Sequence, residues 1–300
     1  MKSRTWMWMT VVCLFAALAV PVRLAAQEHK EGKQFTTIDV PGASYTQATG
    51  INPQGDILGT YLDSSGAHGY LLSGGIFTPI DVPGAKSGAT NANGINPQGD
   101  IVGTYGDNVG SGVHGYLLSK GTFTTIDVPG SPFGTYALGI NPRGDIVGYY
   151  GDSSGSYHGF LLHNGTFTTI DPPGITYPPG TEFIVASGIN PQGDIVGSYF
   201  ALDGALLAFL LSDGTFTTIK LPGYLGQGEA NGINPRGDIA GLDADSSGNF
   251  IGMLLSKGVI TPINVPGASS TYPEGINPRG DIVGLYFDSS GNGHGFLLSK

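Results

Sequence analysis

Beyond residue 31 the chain contains three glutamates, Glu182, Glu229 and Glu274. Paired carboxylates can serve as acid and base, or as acid and nucleophile, on a glycosidic bond. On a non-catalytic surface the same groups would form an acidic patch for a ligand. Tyr177, Phe183, Tyr224 and Tyr272 stand within five residues of them as aromatic contacts. Four histidines recur in one setting, as His68-Gly69-Tyr70, His114-Gly115-Tyr116, His158-Gly159-Phe160 and His294-Gly295-Phe296. Imidazole is a metal ligand by type. These four occupy equivalent places in separate copies of a repeat, too far apart to share one ion, and Leu207 and Ile251 replace them in the other two copies. They are expected to make structural hydrogen bonds. The Asp-Ser-Ser-Gly loops offer one carboxylate each, where calcium wants six or more oxygens. No serine, histidine and aspartate constellation stands out. The residues therefore assign no catalytic group, no metal and no cofactor.

The elements that position these side chains come from a repeat. Gly-Ile-Asn-Pro-(Gln/Arg)-Gly-Asp begins at Gly50, Gly94, Gly139, Gly188, Gly232 and Gly275, with spacings of 44, 45, 49, 44 and 43. After each copy come an apolar run such as Ile101–Tyr105, a loop such as Asp152–Gly155, a run such as His158–Leu162, and Phe167–Asp171 leading into Pro-Gly. Asn-Pro-x-Gly suits a tight turn, Asp-Ser-Ser-Gly follows the same logic with a carboxylate acceptor, and Asn164-Gly165 or Asp213-Gly214 suits a two-residue hairpin. Three hairpins per unit predict a four-stranded antiparallel meander. The first strand carries Ala48, Ala92, Ala137, Ala186 and Ala230, small enough for the crowded innermost place. The last carries Phe35, Phe77, Phe123, Phe167 and Phe216 beside threonines, as an outer strand would. The repeat thus predicts an all-β fold, a six-bladed β-propeller of four-stranded antiparallel blades. The sixth unit lacks its own last strand, and residues 35–40 can supply it, the N-terminal strand closing the last blade and leaving few open edges.

Function should lie where the symmetry breaks. The loops between second and third strands and the links between units emerge on one face, and the Asn-Pro-x-Gly turns on the other. All three glutamates fall in links of consecutive units, the longest running from Ile175 to Phe183. They are expected to form an acidic arc at one mouth of the central channel. The six aspartates of the Asn-Pro-x-Gly-Asp turns, from Asp56 to Asp281, are read as scaffold because every unit has one. Three turns spell Arg-Gly-Asp, at Arg143, Arg236 and Arg279, a tripeptide similar to integrin-recognition motifs. Gln54, Gln98 and Gln192 at the equivalent place indicate a position that accepts any long polar side chain.

Composition agrees with many turns and a large core: 300 residues, 51 glycines, 40% hydrophobic and 12% charged. Lys2 and Arg4 precede an apolar run from Trp6 to Val20, then Leu24-Ala25-Ala26 before polar residues. This predicts a signal peptide over 1–26, a linker over 27–34 and one domain over 35–300. The run falls short of the ~20 residues of a spanning helix, so no membrane span is expected after cleavage. Cys13, the single cysteine, lies in that leader. A net charge of −10 disfavours nucleic acid as a partner.

The pattern Gly-Ile-Asn-x-x-Gly-Asp-Ile-Val-Gly followed by His-Gly-Phe-Leu resembles the HAF repeats, described as probable extracellular repeats of bacteria. The resemblance covers residues 35–300, with Leu207-Ala208-Phe209 and Ile251-Gly252-Met253 departing from the histidine triplet. It implies an exported repeat protein and brings no established activity or catalytic residues. The leading expectation is a secreted, periplasmic or cell-surface monomeric scaffold that binds a glycan, peptide or envelope partner. The alternative is a propeller-type glycan hydrolase or lyase using the loop glutamates.

Overall fold

The computed structural model describes residues 33–107, 112–219, 228–245 and 250–299, together with the backbone of Arg23 and Leu24. The expected leader and nearly all of the linker lie outside the described residues, as does Tyr224. Among the described residues all regular structure is β-strand.

A two-residue strand, β1 (Arg23–Leu24), precedes β2 (Gln34–Ile38). Blade 1 is β3 (Tyr45–Ile51), β4 (Ile57–Asp63), β5 (Gly66–Ser73) and β6 (Ile76–Ile80). Blade 2 is β7 (Thr90–Ile95), β8 (Ile101–Gly106), β9 (Val113–Ser119) and β10 (Thr122–Ile126). Blade 3 is β11 (Thr135–Ile140), β12 (Ile146–Gly151), β13 (Tyr157–His163) and β14 (Thr166–Ile170). Blade 4 is β15 (Ile184–Ile189), β16 (Ile195–Phe200), β17 (Leu206–Ser212) and β18 (Thr215–Ile219). Blade 5 is β19 (Glu229–Ile233), β20 (Ile239–Ala244), β21 (Phe250–Ser256) and β22 (Val259–Ile263). Blade 6 is β23 (Ser270–Ile276), β24 (Ile282–Phe287) and β25 (Gly293–Ser299), completed by β2.

Each blade is an antiparallel meander, and the first strand of each lies against the first strand of the next. The ring closes where β23 meets β3. The N-terminal strand pairs as its sequence predicts, with Gln34 opposite Ser299 and Ile38 opposite Gly295. Arg23–Leu24 adds a parallel fifth strand at the outer edge of blade 5, beside Val259–Ile260, and cleavage near Ala26 would remove it.

Turn chemistry fixes the hairpins. In blade 3 the Asn141 side-chain oxygen accepts the N–H groups of Arg143 and Asp145 at 2.9 and 3.0 Å, while its amide donates to Asp145 Oδ2 at 2.7 Å. Lys120, Asn164, Asp213 and Lys257 all have φ of 47–50°, each followed by a positive-φ glycine, as a type I′ hairpin requires. The same asparagine amides reach the next blade, Asn141 to the Asn190 carbonyl at 3.4 Å and Asn234 to that of Asn277 at 3.4 Å. The arginines do more than fill a tolerant polar position. Arg143 pairs with Asp145 at 2.9 Å and donates to the Pro191 carbonyl of the next blade at 2.6 Å. Arg236 reaches the Pro278 carbonyl, and Arg279 the Pro53 carbonyl at 2.5 Å across the closure.

The core lies between blades, where one aromatic per blade is fully enclosed: Tyr70, Tyr116, Phe160, Phe209 and Phe296, with Met253 in blade 5. Inner strands approach so closely that the second strand needs glycine. A Cβ on Gly148 would sit 1.9 Å from the Tyr136 carbonyl oxygen and 2.9 Å from the Phe160 ring. The small alanines of the inner strands are buried for the same reason.

Candidate functional site

Each inner strand carries a bulge between its alanine, or Pro273 in blade 6, and the glycine two residues on. Burial alternates along these strands, buried residues facing the blades and half-open ones facing the axis. Two sets of six side chains result. Because the inner strands run from the linker face toward the turn face, Gln47, Asn91, Tyr136, Val185, Glu229 and Tyr272 stand nearer the linker-side mouth. Thr49, Asn93, Leu138, Ser187, Asn231 and Glu274 are the bulged residues one step deeper. A cavity of about 360 Å3 occupies the axis, bordered by Gln47, Asn93, Tyr136, Tyr149, Asn231 and Glu274 among others. A second void, about 20 Å3 under Glu229 between blades 4 and 5, has room for about one water.

Two of the three predicted glutamates meet here. Gly232, on the strand of Glu229, lies so near the neighbouring inner strand that a Cβ on it would be 2.7 Å from the Glu274 carbonyl. Gln47 donates from Nε2 to Glu274 Oε1 at 3.3 Å, and Tyr45 donates to Gln47 Oε1 at 3.1 Å. Burial, reinforced by the like charge of Glu229 and only partly offset by the Gln47 hydrogen bond, pushes the Glu274 carboxyl up to about 8. Burial raises Glu229 as well. Tyr45 is pushed up to about 12, first by burial and then by the Glu274 charge. Among the described residues, no arginine, lysine or histidine forms an ion pair with Glu229 or Glu274.

Across the axis, blade 3 presents Tyr136 and Tyr149 stacked face to face, ring centres 4.3 Å apart and planes within 4°. The aromatic run continues outward through Tyr157 and the predicted contact Phe183 to Phe200. On the acidic side Tyr272 packs against Phe250 and Phe287, and Phe287 against Tyr45. Tyr177 is turned to another task, donating to the Phe200 carbonyl at 2.8 Å.

Glu182 stands apart from the other two, at the junction of blades 3 and 4. Its Oε2 lies 3.5 Å from His158 Nδ1, which also meets Asp171 at 3.1 Å, while His158 Nε2 faces Asp152 at 3.3 Å. One ligand atom from each of His158, Asp171 and Glu182 lies within 4.8 Å of the others, a set able to hold a cation. Burial, then the Asp171 charge, raises the Glu182 carboxyl.

The other histidines have related surroundings. His68 contacts Asp81 at 2.8 Å and Asp63 at 3.4 Å, and His114 contacts Asp127 at 2.9 Å and Asp107 at 3.5 Å. His294 contacts Asp39 at 2.9 Å and Asp288 at 3.6 Å, and a tyrosine stacks on each of His68, His114 and His294. Paired aspartates outweigh the cost of partial burial and raise the imidazoles of His114, His158 and His294. These aspartate partners went unrecognised in the sequence, although a signal existed. His68, His114 and His158 each have an aspartate 13 residues on, whereas Leu207 and Ile251 have Lys220 and Asn264 there.

No family model matches the chain, and no curated protein matches it. Solved structures do resemble the fold. AofleA from Arthrobotrys oligospora is 14% identical, with 93% of this chain and 91% of that one covered, at a TM-score of 0.57. A putative TolB from Agrobacterium tumefaciens is 14% identical over 86% and 91%, at 0.55. A variant of the Aleuria aurantia lectin in complex with Fucα1-6GlcNAc is 13% identical over 85% and 91%, at 0.52. At such identities the likeness concerns architecture.

Proposed function

We propose that the chain is an exported, non-catalytic binding module of the HAF-repeat kind, which holds a glycan or peptide at the linker-side mouth of its channel. One observation carries this reading. The six blades repeat Gly-Ile-Asn-Pro-x-Gly-Asp without exception, yet the six mouth positions carry five residue types and the six bulge positions another five. Scaffold demands sameness, whereas recognition of one asymmetric ligand demands difference. The cavity bounded by these positions supports the assignment, and a structural relative solved with a bound fucosyl disaccharide supports a binding role for this architecture.

The hydrolase alternative draws on the juxtaposed Glu229 and Glu274. An acid and base pair works when its surroundings push the two pKa values apart. Here burial raises both carboxyls, Glu274 also by the charge of Glu229, and among the described residues no arginine, lysine or histidine pairs with either to hold it ionised. The test is glycan-array and peptide-array binding by the chain beside a Leu138→Trp variant, whose indole takes up part of the channel. The reading predicts at least one class of array ligand bound by the parent and lost in the variant. Unchanged binding in the variant, or turnover of a bound glycan that Glu274→Gln abolishes, would overturn it.

A further inference from the structure

The channel has an electrostatic imbalance that its scaffold role does not explain. Glu274 projects from the bulge of β23 into the axial cavity, and Glu229 stands on the adjacent inner strand. Gln47 of blade 1 supplies one neutral hydrogen bond to Glu274, and Tyr45 bonds that same Gln47. An alternating strand pattern is satisfied by asparagine, serine or threonine at the bulge, as blades 1, 2, 4 and 5 demonstrate with Thr49, Asn93, Ser187 and Asn231. Placing a carboxylate there, beside a second one, costs stability unless something positive joins them. Opposite, in blade 3, the Tyr136 and Tyr149 rings form a parallel stack at the cavity wall. Carboxylates facing aromatic rings form a receptor for an organic cation, charge on one side and ring quadrupole on the other. The cavity of about 360 Å3 also gives room for a carbon chain.

We infer that the channel binds an alkylammonium group between the Glu274 carboxylate, with the Glu229 charge behind it, and the Tyr136 and Tyr149 stack. This rests on the channel being the binding site. Two sources carry the group, a free polyamine and a lysine side chain of a peptide. Entry of the cation favours the ionised form of Glu274, so binding expels the proton that burial and Glu229 hold there. The titratable groups acting on Glu274 are Glu229 from blade 5 and Tyr45 from blade 1, and across the cavity it faces the phenols of Tyr136 and Tyr149 from blade 3.

Calorimetric titration of the full chain with spermidine, and separately with a lysine-bearing peptide and its acetyl-lysine counterpart, tests the inference. Saturable binding of spermidine or of the lysine peptide is expected, with the acetylated peptide silent. Glu274→Gln, nearly isosteric and able to keep a hydrogen bond with Gln47, should weaken binding about tenfold or more, the equivalent of ~1.4 kcal/mol. In buffers of different ionisation heat near pH 7 the parent should release a proton on binding and the variant none. No saturation by either amine, or equal affinity in Glu274→Gln with its fold verified by circular dichroism, would overturn the ammonium assignment. A neutral ligand displaced by Leu138→Trp but indifferent to Glu274→Gln would overturn the ammonium assignment and leave the channel reading standing. Amine binding that survives the Leu138→Trp substitution would overturn both.

Discussion

Glu274 carries the clearest pH signature in the molecule. Its carboxyl sits near 8 in the fold against an ordinary value of 4.5, so the folded state binds the proton more tightly. The associated stability is complete below about 4.5 and is lost as pH rises through about 8. The melting temperature of the parent should therefore fall relative to Glu274→Gln across that window and run parallel to it below. Parallel curves throughout would mean the carboxylate is better solvated than its position implies. The histidines act in the same direction at higher pH. The His114 imidazole is raised from 6.5 by Asp127 and Asp107, so its contribution is full below 6.5 and disappears as the ring deprotonates above. Asp127 is 48% exposed, which screens the pair. A double-mutant cycle of His114→Leu and Asp127→Asn should show coupling of only ~0.5 kcal/mol at pH 6, fading by pH 9 and in high salt.

At the level of the strand, the inner hairpin is governed by two kinds of glycine. Gly148 faces the Tyr136 carbonyl at a distance that admits no Cβ, while Gly144 adopts φ +82° with open space around it. Gly148→Ala should cost ~3 kcal/mol or more because backbone has to move. Gly144→Ala should cost ~1–2 kcal/mol, the strain of a left-handed backbone alone. Denaturant unfolding of the two variants measures this difference, and equal losses would contradict the packing described. Most of these strands were legible in the sequence, because Asn-Pro-x-Gly, Asp-Ser-Ser-Gly and x-Gly are turn signals spelled out in residues. The bulge after Ala48, Ala92, Ala137, Ala186 and Ala230 was not. A bulge is a property of pairing between two strands, and its consequence, that Glu274 and Asn231 turn to the axis, follows from register. The pairing of His68, His114 and His158 with aspartates 13 residues on was present as joint loss in the two irregular repeats, visible only when both columns are compared.

Across the whole molecule the ring closes at one seam, between blade 6 and blade 1. β2 pairs with β25, β23 packs on β3, and Arg279 donates to the Pro53 carbonyl. The pairing of the N-terminal strand with the last unit was legible because residues 35–40 repeat the last-strand pattern ahead of the first unit, and Asp39 on that segment pairs with His294 at 2.9 Å. Arg279→Gln installs the residue that blades 1, 2 and 4 carry at this place. Its side chain is 53% exposed, so the loss should stay under ~1 kcal/mol, and Arg143→Gln should lose a similar amount. A much larger loss for Arg279 alone, by denaturant unfolding, would indicate that the seam is the weak point of the ring. The expected arc of three link glutamates forms only in part: Glu229 and Glu274 stand on adjacent inner strands and meet, and Glu182 does not join them. Glu182 is five residues from Tyr177 just as Glu229 is from Tyr224, yet the longest link carries Glu182 to His158 instead of the axis. The central claim is that recognition belongs to the unlike residues around the axis, and a crystal structure with the strongest array ligand tests it most directly. Difference density in the channel against Tyr136, Asn93 and Glu274 is the predicted result, and density confined to the blade peripheries beside His68, His114, His158 or His294 would contradict it.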